Sequence, residues 1–174
     1  PAKVWTEALP LGNSRLGAMI YGGVVNEQIQ LNEETLWGGG PHRNDSEKAL
    51  GVLPKVRELL FSGREKEAEK LIAGNFFTGQ HGMPFQTIGS LMLEFDGHAG
   101  YSEYRRELDL ERAVASVHYK IGEVNYTRTL FTSLTDNALI VRIEADKPGA
   151  ISFVTRYTTP HKKYTVKKSG KDLL

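Results

Sequence analysis

The chain has 174 residues, of which 40% are hydrophobic and 25% are charged, and its formal net charge is +1. This length corresponds to one domain, or to one domain with part of another, and it allows a buried hydrophobic core. The near-neutral charge by itself predicts neither a nucleic-acid nor a membrane partner. The absence of cysteine excludes disulfides and thiol chemistry, and no apolar run is long enough to predict a membrane span.

The first half of the chain predicts a β-hairpin followed by two helices. Alternating residues over 16–32, with a glycine pair in the middle, indicate the hairpin. The polar run Asn44-Asp45-Ser46 predicts the cap of a first helix that ends at Phe61, and Pro54 predicts a kink or a break in it. Residues 64–72 predict a second helix with one apolar face.

The second half of the chain predicts strands separated by short turns. The strands are predicted over 89–95, 103–110, 113–120, 124–133, 138–145 and 151–157. Strands at this spacing with alternating faces are typical of antiparallel sandwiches and barrels. The predicted fold is therefore mainly β: an antiparallel β-sandwich with two short inserted helices.

The tail over 162–171 contains five lysines, and Tyr164 and Val166 alternate with polar residues there. This pattern favours an edge strand that lysines protect from pairing with other chains. A nucleic-acid patch is the alternative, but no set of stacking aromatic residues accompanies the charge. No nucleic-acid partner is therefore predicted.

The segment Leu11–Gly17 predicts a tight turn that enters a strand, because Asn13 and its glycines tolerate positive φ. Its glycine spacing lacks the Lys-Ser or Lys-Thr of a phosphate-binding loop, which excludes nucleotide binding of that type. Arg15 is expected to pair with Glu7 or Glu33. Its alternative role is to bind a sugar hydroxyl or a domain interface.

The segment over 32–41 places Asn32, Glu33 and Trp37 before three glycines and a proline. Aromatic faces stack on the apolar faces of sugar rings, and Asn and Glu side chains bind hydroxyls. The segment is therefore a candidate carbohydrate-facing loop. The alternative is that Trp37 fills a neighbouring domain or the end of the sandwich.

No residues form a convincing catalytic pair. Glycosidases usually need two carboxyl groups at a defined separation. The carboxylates that qualify by type alone are Glu7, Glu33, Glu34, Asp109 and Glu111. The five histidines lack metal-ligand spacing, so we predict no metal and no cofactor. Burial beneath the helices is the expected location of Phe76, Phe77 and Phe85, and the alternative is that they line a groove.

These motifs resemble the amino-terminal domain of glycoside hydrolase family 95, the α-L-fucosidases. The resemblance is carried by residues 7–19, 30–41, 85–95, 104–111 and 126–128. Ser14 stands where the family usually has glycine, which marks a divergent member. The related family 65 disaccharide phosphorylases carry a similar domain, but the run from Leu31 to Trp37 favours family 95.

The resemblance implies a β-super-sandwich that continues beyond Leu174 and packs on a catalytic (α/α)6 barrel. The family's catalytic residues lie in that barrel, so the chain alone is expected to be inactive. The implied reaction is hydrolysis of terminal α-L-fucosides or α-L-galactosides with inversion. The implied partner molecules are a fucosylated oligosaccharide and, through an exposed strand edge, a second copy of the chain. Family habit implies a periplasmic or extracellular location.

The sequence therefore predicts a non-catalytic domain that shapes one wall of a substrate cleft. The candidate residues of that wall, or of the domain interface, are Asn13, Arg15, Asn32, Glu33 and Trp37. A free-standing carbohydrate-binding module and a purely structural interface module are the alternatives.

Overall fold

The computed structural model describes residues 1–41, 45–78 and 82–173 and divides the chain into two units. The first unit, here called the sandwich unit, comprises Pro1–Leu36 and Thr87–Leu174. The second, the helical unit, comprises Trp37–Gln86.

Strands make up most of the sandwich unit. In chain order they are β1 (Leu9–Gly12), β2 (Leu16–Ile20), β3 (Asn26–Glu33), β4 (Gly89–Glu94), β5 (Ser102–Asp109), β6 (Val114–Ile121), β7 (Val124–Ser133), β8 (Ala138–Ala145), β9 (Val154–Thr158), β10 (Lys168–Ser169) and β11 (Asp172–Leu173). One antiparallel sheet has the order β1-β2-β3-β4-β9, and a second has the order β5-β6-β7-β8. Short 3₁₀ turns lie at Trp5–Glu7 and His98–Gly100.

The two larger sheets share one hydrophobic core, because alternate residues of each strand point inward. Its buried members are Leu11, Ala18, Ile20, Ile29, Leu93 and Phe95 from the first sheet and its flank, and Ala115 and Leu130 from the second. A second cluster contains Val24, Val117, Tyr119 and Tyr126. The predicted antiparallel sandwich is therefore confirmed.

The predicted strands agree with the observed ones best where alternation is long. The ranges of β7 and β8 match their predictions, and the hairpin over 16–32 is confirmed by the register Leu16↔Glu33. The sequence pattern did not reveal β1, which is short and contains Pro10. Proline is tolerated there because β1 is an edge strand.

The helical unit contains two helices joined by a short connection, α1 (Ala49–Phe61) and α2 (Glu65–Asn75). Buried Val56, Leu59 and Ala68 hold the pair together. The apolar face predicted for the second helix is confirmed. Within the described ranges, no helix is long and apolar enough to cross a membrane.

The ends of α1 differ from the prediction. The helix is continuous through Pro54, and its amino-terminal cap is Lys48, which makes no side-chain capping bond. Ser46 instead accepts a hydrogen bond from the Lys48 amide at 3.3 Å, before the helix begins, and Asn44 lies outside the described residues. At the other end, the Ser62 hydroxyl donates to the Glu58 carbonyl at 2.8 Å, as expected of a helix stop.

The tail does not form the predicted edge strand. Residues 162–167 have no strand structure, and β10 and β11 pair only with each other, through Lys168↔Leu173 and Ser169↔Asp172. The prediction was wrong because the chain leaves the sheet after β9. There the His161 Nε2 atom lies 2.7 Å from the Thr87 carbonyl oxygen, which redirects the segment.

Candidate functional site

Asn13 lies in the connection between β1 and β2 and is buried. Its Oδ1 accepts the amides of Arg15 at 3.2 Å and Leu16 at 2.7 Å. Its Nδ2 donates to the Ser133 carbonyl at 2.7 Å and to Asn137 Oδ1 at 3.2 Å. The amide therefore ties this turn to the β7–β8 turn, and its hydrogen-bonding capacity is used within the protein.

Ser14 carries the unusual backbone of this turn, with φ of +74°. The sequence predicted positive φ at asparagine or glycine, because those residues adopt it at low cost. Asn13 does not have positive φ. Its side chain instead accepts the backbone amides of Arg15 and Leu16, which closes the turn. Serine holds the left-handed conformation instead.

Arg15 pairs with Glu33, one of its two predicted partners, through Arg15 Nε and Glu33 Oε1 at 2.9 Å. The alternative partner, Glu7, accepts the Lys3 amide at 2.7 Å instead. The Arg15 side chain is 55% exposed and that of Glu33 is 20% exposed. Among the described residues, the two terminal guanidinium nitrogens of Arg15 have no hydrogen-bond partner. They are available to a ligand hydroxyl.

Glu33 is held in its charged form. Its Oε2 accepts the Thr35 hydroxyl at 2.6 Å and the Thr35 amide at 2.9 Å. These bonds, led by the one from the hydroxyl and joined by the charge of Arg15, lower the pKa of the Glu33 carboxyl. A carboxylate that stays ionised orients Arg15 but is poorly suited to act as a general acid.

Asn32 lies next to Glu33 in β3, opposite Gly17 of β2, and is exposed. Consecutive strand residues face opposite sides of a sheet, so Asn32 does not share the face of Glu33. The structure therefore brings Arg15 and Glu33 together at one corner of the sandwich unit and separates Asn32 from them.

Trp37 belongs to the helical unit and forms an isolated antiparallel bridge with Phe85. Their ring centroids are 5.0 Å apart at 72°, which is an edge-to-face contact. The Gly38 amide donates to the Pro84 carbonyl at 2.8 Å, and this hydrogen bond joins the segment after Trp37 to the segment before Phe85. Trp37 is 52% exposed, so much of its ring surface is accessible within this chain.

An open groove of about 370 Å³ lies beside this bridge. Gly38, Gly39, Gly40 and Pro41 line one side, and Gly82, Met83 and Pro84 line the other. The described residues of the lining carry no charged side chain, and their backbone amide and carbonyl groups supply the polar atoms. Such a surface suits a neutral ring with an apolar face and hydroxyls at its rim, as in a sugar.

Three phenylalanines of this unit differ in burial. Phe76 packs with the helices as predicted, but Phe77 and Phe85 are exposed, so the prediction was wrong for both of them. The Phe85 ring is instead the edge-on partner of Trp37.

A buried polar cluster in the sandwich unit was missed at the sequence level. Arg128 Nη1 lies 2.9 Å from Glu27 Oε2, and Arg128 Nη2 donates to the Tyr119 hydroxyl at 3.2 Å. That hydroxyl lies 3.0 Å from His98 Nδ1. The alternation of residues along β7 was the available sequence signal. It places Arg128 on the same inward face as Tyr126 and Leu130.

The electrostatics of this cluster point to a structural role. Burial raises the pKa of the Glu27 carboxyl, while the Arg128 charge opposes that rise. Burial, followed by the charge of Arg128, lowers the pKa of His98. All four side chains are buried and engaged with one another, so none of them is presented to a substrate. The described residues also hold no group of three potential metal-ligating side chains.

Comparison with known proteins decides the family. A family model described as "Glycosyl hydrolase family 65, N-terminal domain" matches residues 1–174. The chain belongs to this family. It is 44% identical over 160 residues to "Alpha-L-fucosidase 2" of Arabidopsis thaliana, covering 88% of the chain and 18% of that relative.

Two fungal relatives bear related names. The chain is 33% identical over 148 residues to "Probable alpha-fucosidase A" of Aspergillus niger, covering 81% of the chain and 18% of the relative. It is 28% identical over 158 residues to the protein of the same name from Aspergillus oryzae, with coverages of 87% and 21%. The chain thus spans about a fifth of the length of the curated relatives it matches.

These matches confirm the resemblance to the amino-terminal domain of a fucosidase-type glycoside hydrolase. The matching family model carries the family 65 description, and the relatives carry fucosidase names, as the run from Leu31 to Trp37 indicated. This glycosyl hydrolase N-terminal domain has the mainly β architecture that the resemblance implied.

Proposed function

We propose that this domain is the non-catalytic amino-terminal part of an α-L-fucosidase-like enzyme that removes terminal α-L-fucose, or α-L-galactose, with inversion. The observation that carries the proposal is the 44% identity, over 88% of the chain, to a protein named an α-L-fucosidase. The aligned region is 18% of that relative, which leaves room for a separate catalytic (α/α)6 domain. The domain would pack on that barrel and bind no cofactor.

The role of the domain in this proposal is to shape one wall of the substrate cleft. In the sandwich unit, Glu33 orients Arg15 and leaves two guanidinium nitrogens for sugar hydroxyls. In the helical unit, the exposed ring of Trp37 offers a stacking surface for a sugar of a fucosylated oligosaccharide. Asn13 supports the turn that carries Arg15, and Asn32 is a candidate for the domain interface.

A second candidate function is carbohydrate binding by the domain itself. It is favoured by the groove over 38–41 and 82–84, whose described lining residues are uncharged, beside the exposed rings of Trp37 and Phe85. A free-standing binding module would hold an oligosaccharide without the barrel. Calorimetric titration of the isolated chain with fucosylated oligosaccharides separates the two functions, because only the binding module gives a saturable signal.

The cleft-wall role is tested in the full-length enzyme with matched pairs of variants. Trp37→Ala is compared with Trp5→Ala, since Trp5 is similarly exposed at 56%. Arg15→Ala is compared with Arg156→Ala, since Arg156 is an exposed arginine paired with Glu94. Loss of one substrate hydrogen bond or stacking contact is worth about 1–1.5 kcal/mol, or roughly tenfold in kcat/KM.

The expected result is that Trp37→Ala and Arg15→Ala each lower kcat/KM for the oligosaccharide, while the two control variants do not. Thermal denaturation distinguishes this outcome from a general loss of stability. If Trp37→Ala and Arg15→Ala leave both activity and stability unchanged, the cleft-wall role is wrong.

We also propose that the enzyme acts in the periplasm or outside the cell, where fucosylated glycans are degraded. The support is the habit of the resembling family alone. Cell fractionation followed by immunodetection tests it, and a cytosolic pool that accounts for all the activity would contradict it.

Self-association of the isolated chain is a further proposal. The outer strands β1 and β9 of the five-stranded sheet present backbone groups that a second copy can pair with. Analytical ultracentrifugation should then show a concentration-dependent dimer, and a monomer at all concentrations would contradict the proposal.

A further inference from the structure

The sequence contains a single Asp-Gly pair, at Asp96 and Gly97, and no Asn-Gly pair. The pair forms a turn between β4 and the short 3₁₀ turn His98–Gly100. An aspartyl residue is most prone to form a cyclic imide when glycine follows it, because glycine has no Cβ to hinder attack by its amide nitrogen. The pair is therefore a candidate site of spontaneous covalent modification.

The structure holds the two reacting groups of this pair together. The Gly97 amide donates a hydrogen bond to Asp96 Oδ1 at 2.9 Å. Because Oδ1 is bonded to Cγ, the amide nitrogen lies next to the carbon atom that it would attack. Gly97 has φ of +75° and ψ of 1°, a left-handed conformation that glycine adopts without strain. Asp96 is exposed, so water can reach its carboxyl carbon.

The residues on either side of the pair are anchored in the interior of the sandwich unit. The Phe95 amide donates to the Val25 carbonyl at 2.8 Å, and Phe95 is 1% exposed. On the other side, His98 Nδ1 lies 3.0 Å from the Tyr119 hydroxyl oxygen. The ring centroids of Phe95 and His98 are 5.3 Å apart. The link between these two residues is therefore fixed at both ends, and the packed interior leaves little freedom to absorb a change in its length.

We propose that Asp96 is a site of isoaspartate formation. The Gly97 amide nitrogen attacks Asp96 Cγ, and the new C–N bond closes a five-membered succinimide ring. The carboxyl hydroxyl and the amide proton leave together as water. A water molecule then adds to one of the two ring carbonyls and breaks the C–N bond of that carbonyl.

The position of this second step decides the product. Cleavage at the side-chain carbonyl restores aspartate, whereas cleavage at the main-chain carbonyl leaves residue 96 joined to Gly97 through its Cγ atom. No atom is gained or lost overall, and water is the only co-reactant. The reacting groups belong to neighbouring residues, so the reaction needs no partner molecule.

The isoaspartyl form should disturb the buried cluster around Arg128. Its main chain would run through Cβ and Cγ of residue 96, which lengthens the link between Phe95 and His98 by one carbon atom. The Arg128 guanidinium carbon lies 4.3 Å from the centre of the Phe95 ring, and Arg128 donates to the Tyr119 hydroxyl that His98 contacts. Because a displacement of either ring breaks these contacts, we expect the modified domain to be less stable.

Asp146 provides a comparison within the same unit. Its carboxylate accepts the Asn125 side-chain amide at 2.6 Å and the Asn125 backbone amide at 3.0 Å. These bonds, led by the one from the side chain, lower the pKa of the Asp146 carboxyl and keep it ionised. An ionised carboxyl does not lose its oxygen as water, and the next residue is Lys147 rather than glycine. Asp146 should therefore keep its normal linkage.

The test follows isoaspartate in the full-length protein during several weeks in neutral buffer at physiological temperature. Methyl transfer by protein L-isoaspartyl methyltransferase measures the amount of isoaspartate, and electron-transfer mass spectrometry of proteolytic peptides locates it. Asp96→Glu is the matched variant, because it keeps the charge but would have to close a six-membered ring. Asp96→Asn is the opposite variant, because an amide loses ammonia more readily than a carboxyl group loses water. Circular dichroism verifies that both variants fold.

We expect isoaspartate to accumulate at residue 96 of the wild-type protein. Ring closure depends on the identity and position of the reacting atoms, so the modification should be at least about tenfold slower in Asp96→Glu and at least about tenfold faster in Asp96→Asn. Residue 146 should not convert in any of the three proteins. After chromatographic separation, the isoaspartyl form should have a lower thermal midpoint than the unmodified form.

The proposal is overturned if residue 96 of the wild-type protein forms no isoaspartate. Equal accumulation in the wild-type protein and Asp96→Glu, no acceleration in Asp96→Asn, or conversion of residue 146 as fast as residue 96 would also overturn it. An unchanged thermal midpoint of the isoaspartyl form would show that the link does not control the buried cluster. None of these outcomes bears on fucosidase activity, so this test and that of the proposed function fail separately.

Discussion

Arg128 of β7 and Glu27 of β3 form an ion pair that joins the two sheets from inside the sandwich. Arg128 Nη1 and Glu27 Oε2 are 2.9 Å apart, and the two side chains are 0% and 1% exposed. The same guanidinium donates to the carbonyls of Gly23 at 2.6 Å and Val24 at 2.8 Å. It also lies 4.3 Å from the centre of the Phe95 ring. Arg128 thus fixes the connection between β2 and β3.

Replacing Glu27 with glutamine should strongly destabilise the domain. The variant keeps the shape of the side chain but leaves the Arg128 charge buried without its counter-ion. Breaking a buried pair in this way costs about 3–5 kcal/mol. Urea denaturation followed by circular dichroism measures the change in the free energy of unfolding.

The exposed pair Arg156–Glu94, at 2.7 Å, provides the matched control. Glu94→Gln should cost less than about 1 kcal/mol, because solvent screens exposed pairs. Equal costs for Glu27→Gln and Glu94→Gln would show that the buried pair does not hold the sheets together.

Gly23→Ala should destabilise the β2–β3 connection. A Cβ at this position would lie 1.8 Å from the Asn26 carbonyl oxygen, so the backbone that Arg128 binds would have to move. Forcing extra atoms into such a site costs about 1–3 kcal/mol. The control is Gly51→Ala in α1, where an added Cβ meets no atom within 4 Å and should stabilise the helix by roughly 0.5–1 kcal/mol. A lower thermal midpoint for both variants, or for neither, would contradict this account.

His98 should make the domain less stable in mild acid. Burial, followed by the nearby charge of Arg128, holds the pKa of His98 below its ordinary value of about 6.5 in the folded state. The unfolded chain therefore binds a proton that the folded chain does not. The stabilising contribution is complete above pH of about 6.5 and is lost as the pH falls toward the folded-state pKa.

The pH dependence is measured as the free energy of unfolding between pH 7.5 and about 5. His98→Asn is the comparison, because its amide can still contact the Tyr119 hydroxyl but does not titrate. Subtracting the two curves removes the contributions of Glu27 and other groups. If the difference in the free energy of unfolding between the two proteins does not change over this pH range, His98 is not the cause of the loss of stability in acid.

Ser14→Gly should stabilise the turn between β1 and β2. Ser14 has φ of +74°, a conformation that costs a non-glycine residue about 1–2 kcal/mol. Part of this gain is lost because glycine is more flexible when unfolded, so the net gain should be about 0.5–1 kcal/mol. Ser14→Ala tests the alternative that the hydroxyl is the cause, and only glycine should raise the thermal midpoint.

Much of the fold was predictable because long strands alternate apolar and polar residues over enough positions to be recognised in the sequence. The ranges of β7 and β8 were predicted, and so was the two-sheet architecture. The edge strand β1 was not, because four residues that include Pro10 carry too little pattern. Residues 162–171 were wrongly predicted as an edge strand, because local alternation does not show where the chain leaves a sheet.

The candidate site was predictable only in part. Opposite charges predicted that Arg15 pairs with Glu7 or Glu33, and only the structure shows that Glu33 is the partner. The tie between Asn13 and Ser133 was not predictable, because it joins residues 120 positions apart. The roles of the five candidate residues in a cleft or a domain interface stay predictions; they are Asn13, Arg15, Asn32, Glu33 and Trp37.

We propose that this chain is part of a fucosidase and does not contain the catalytic groups of that enzyme. The most direct measurement is hydrolysis of p-nitrophenyl α-L-fucoside by the full-length protein and by the 174-residue chain at equal concentrations. We expect the full-length protein to release p-nitrophenol and the chain to release none. Hydrolysis by the chain alone, or by neither protein, would contradict it.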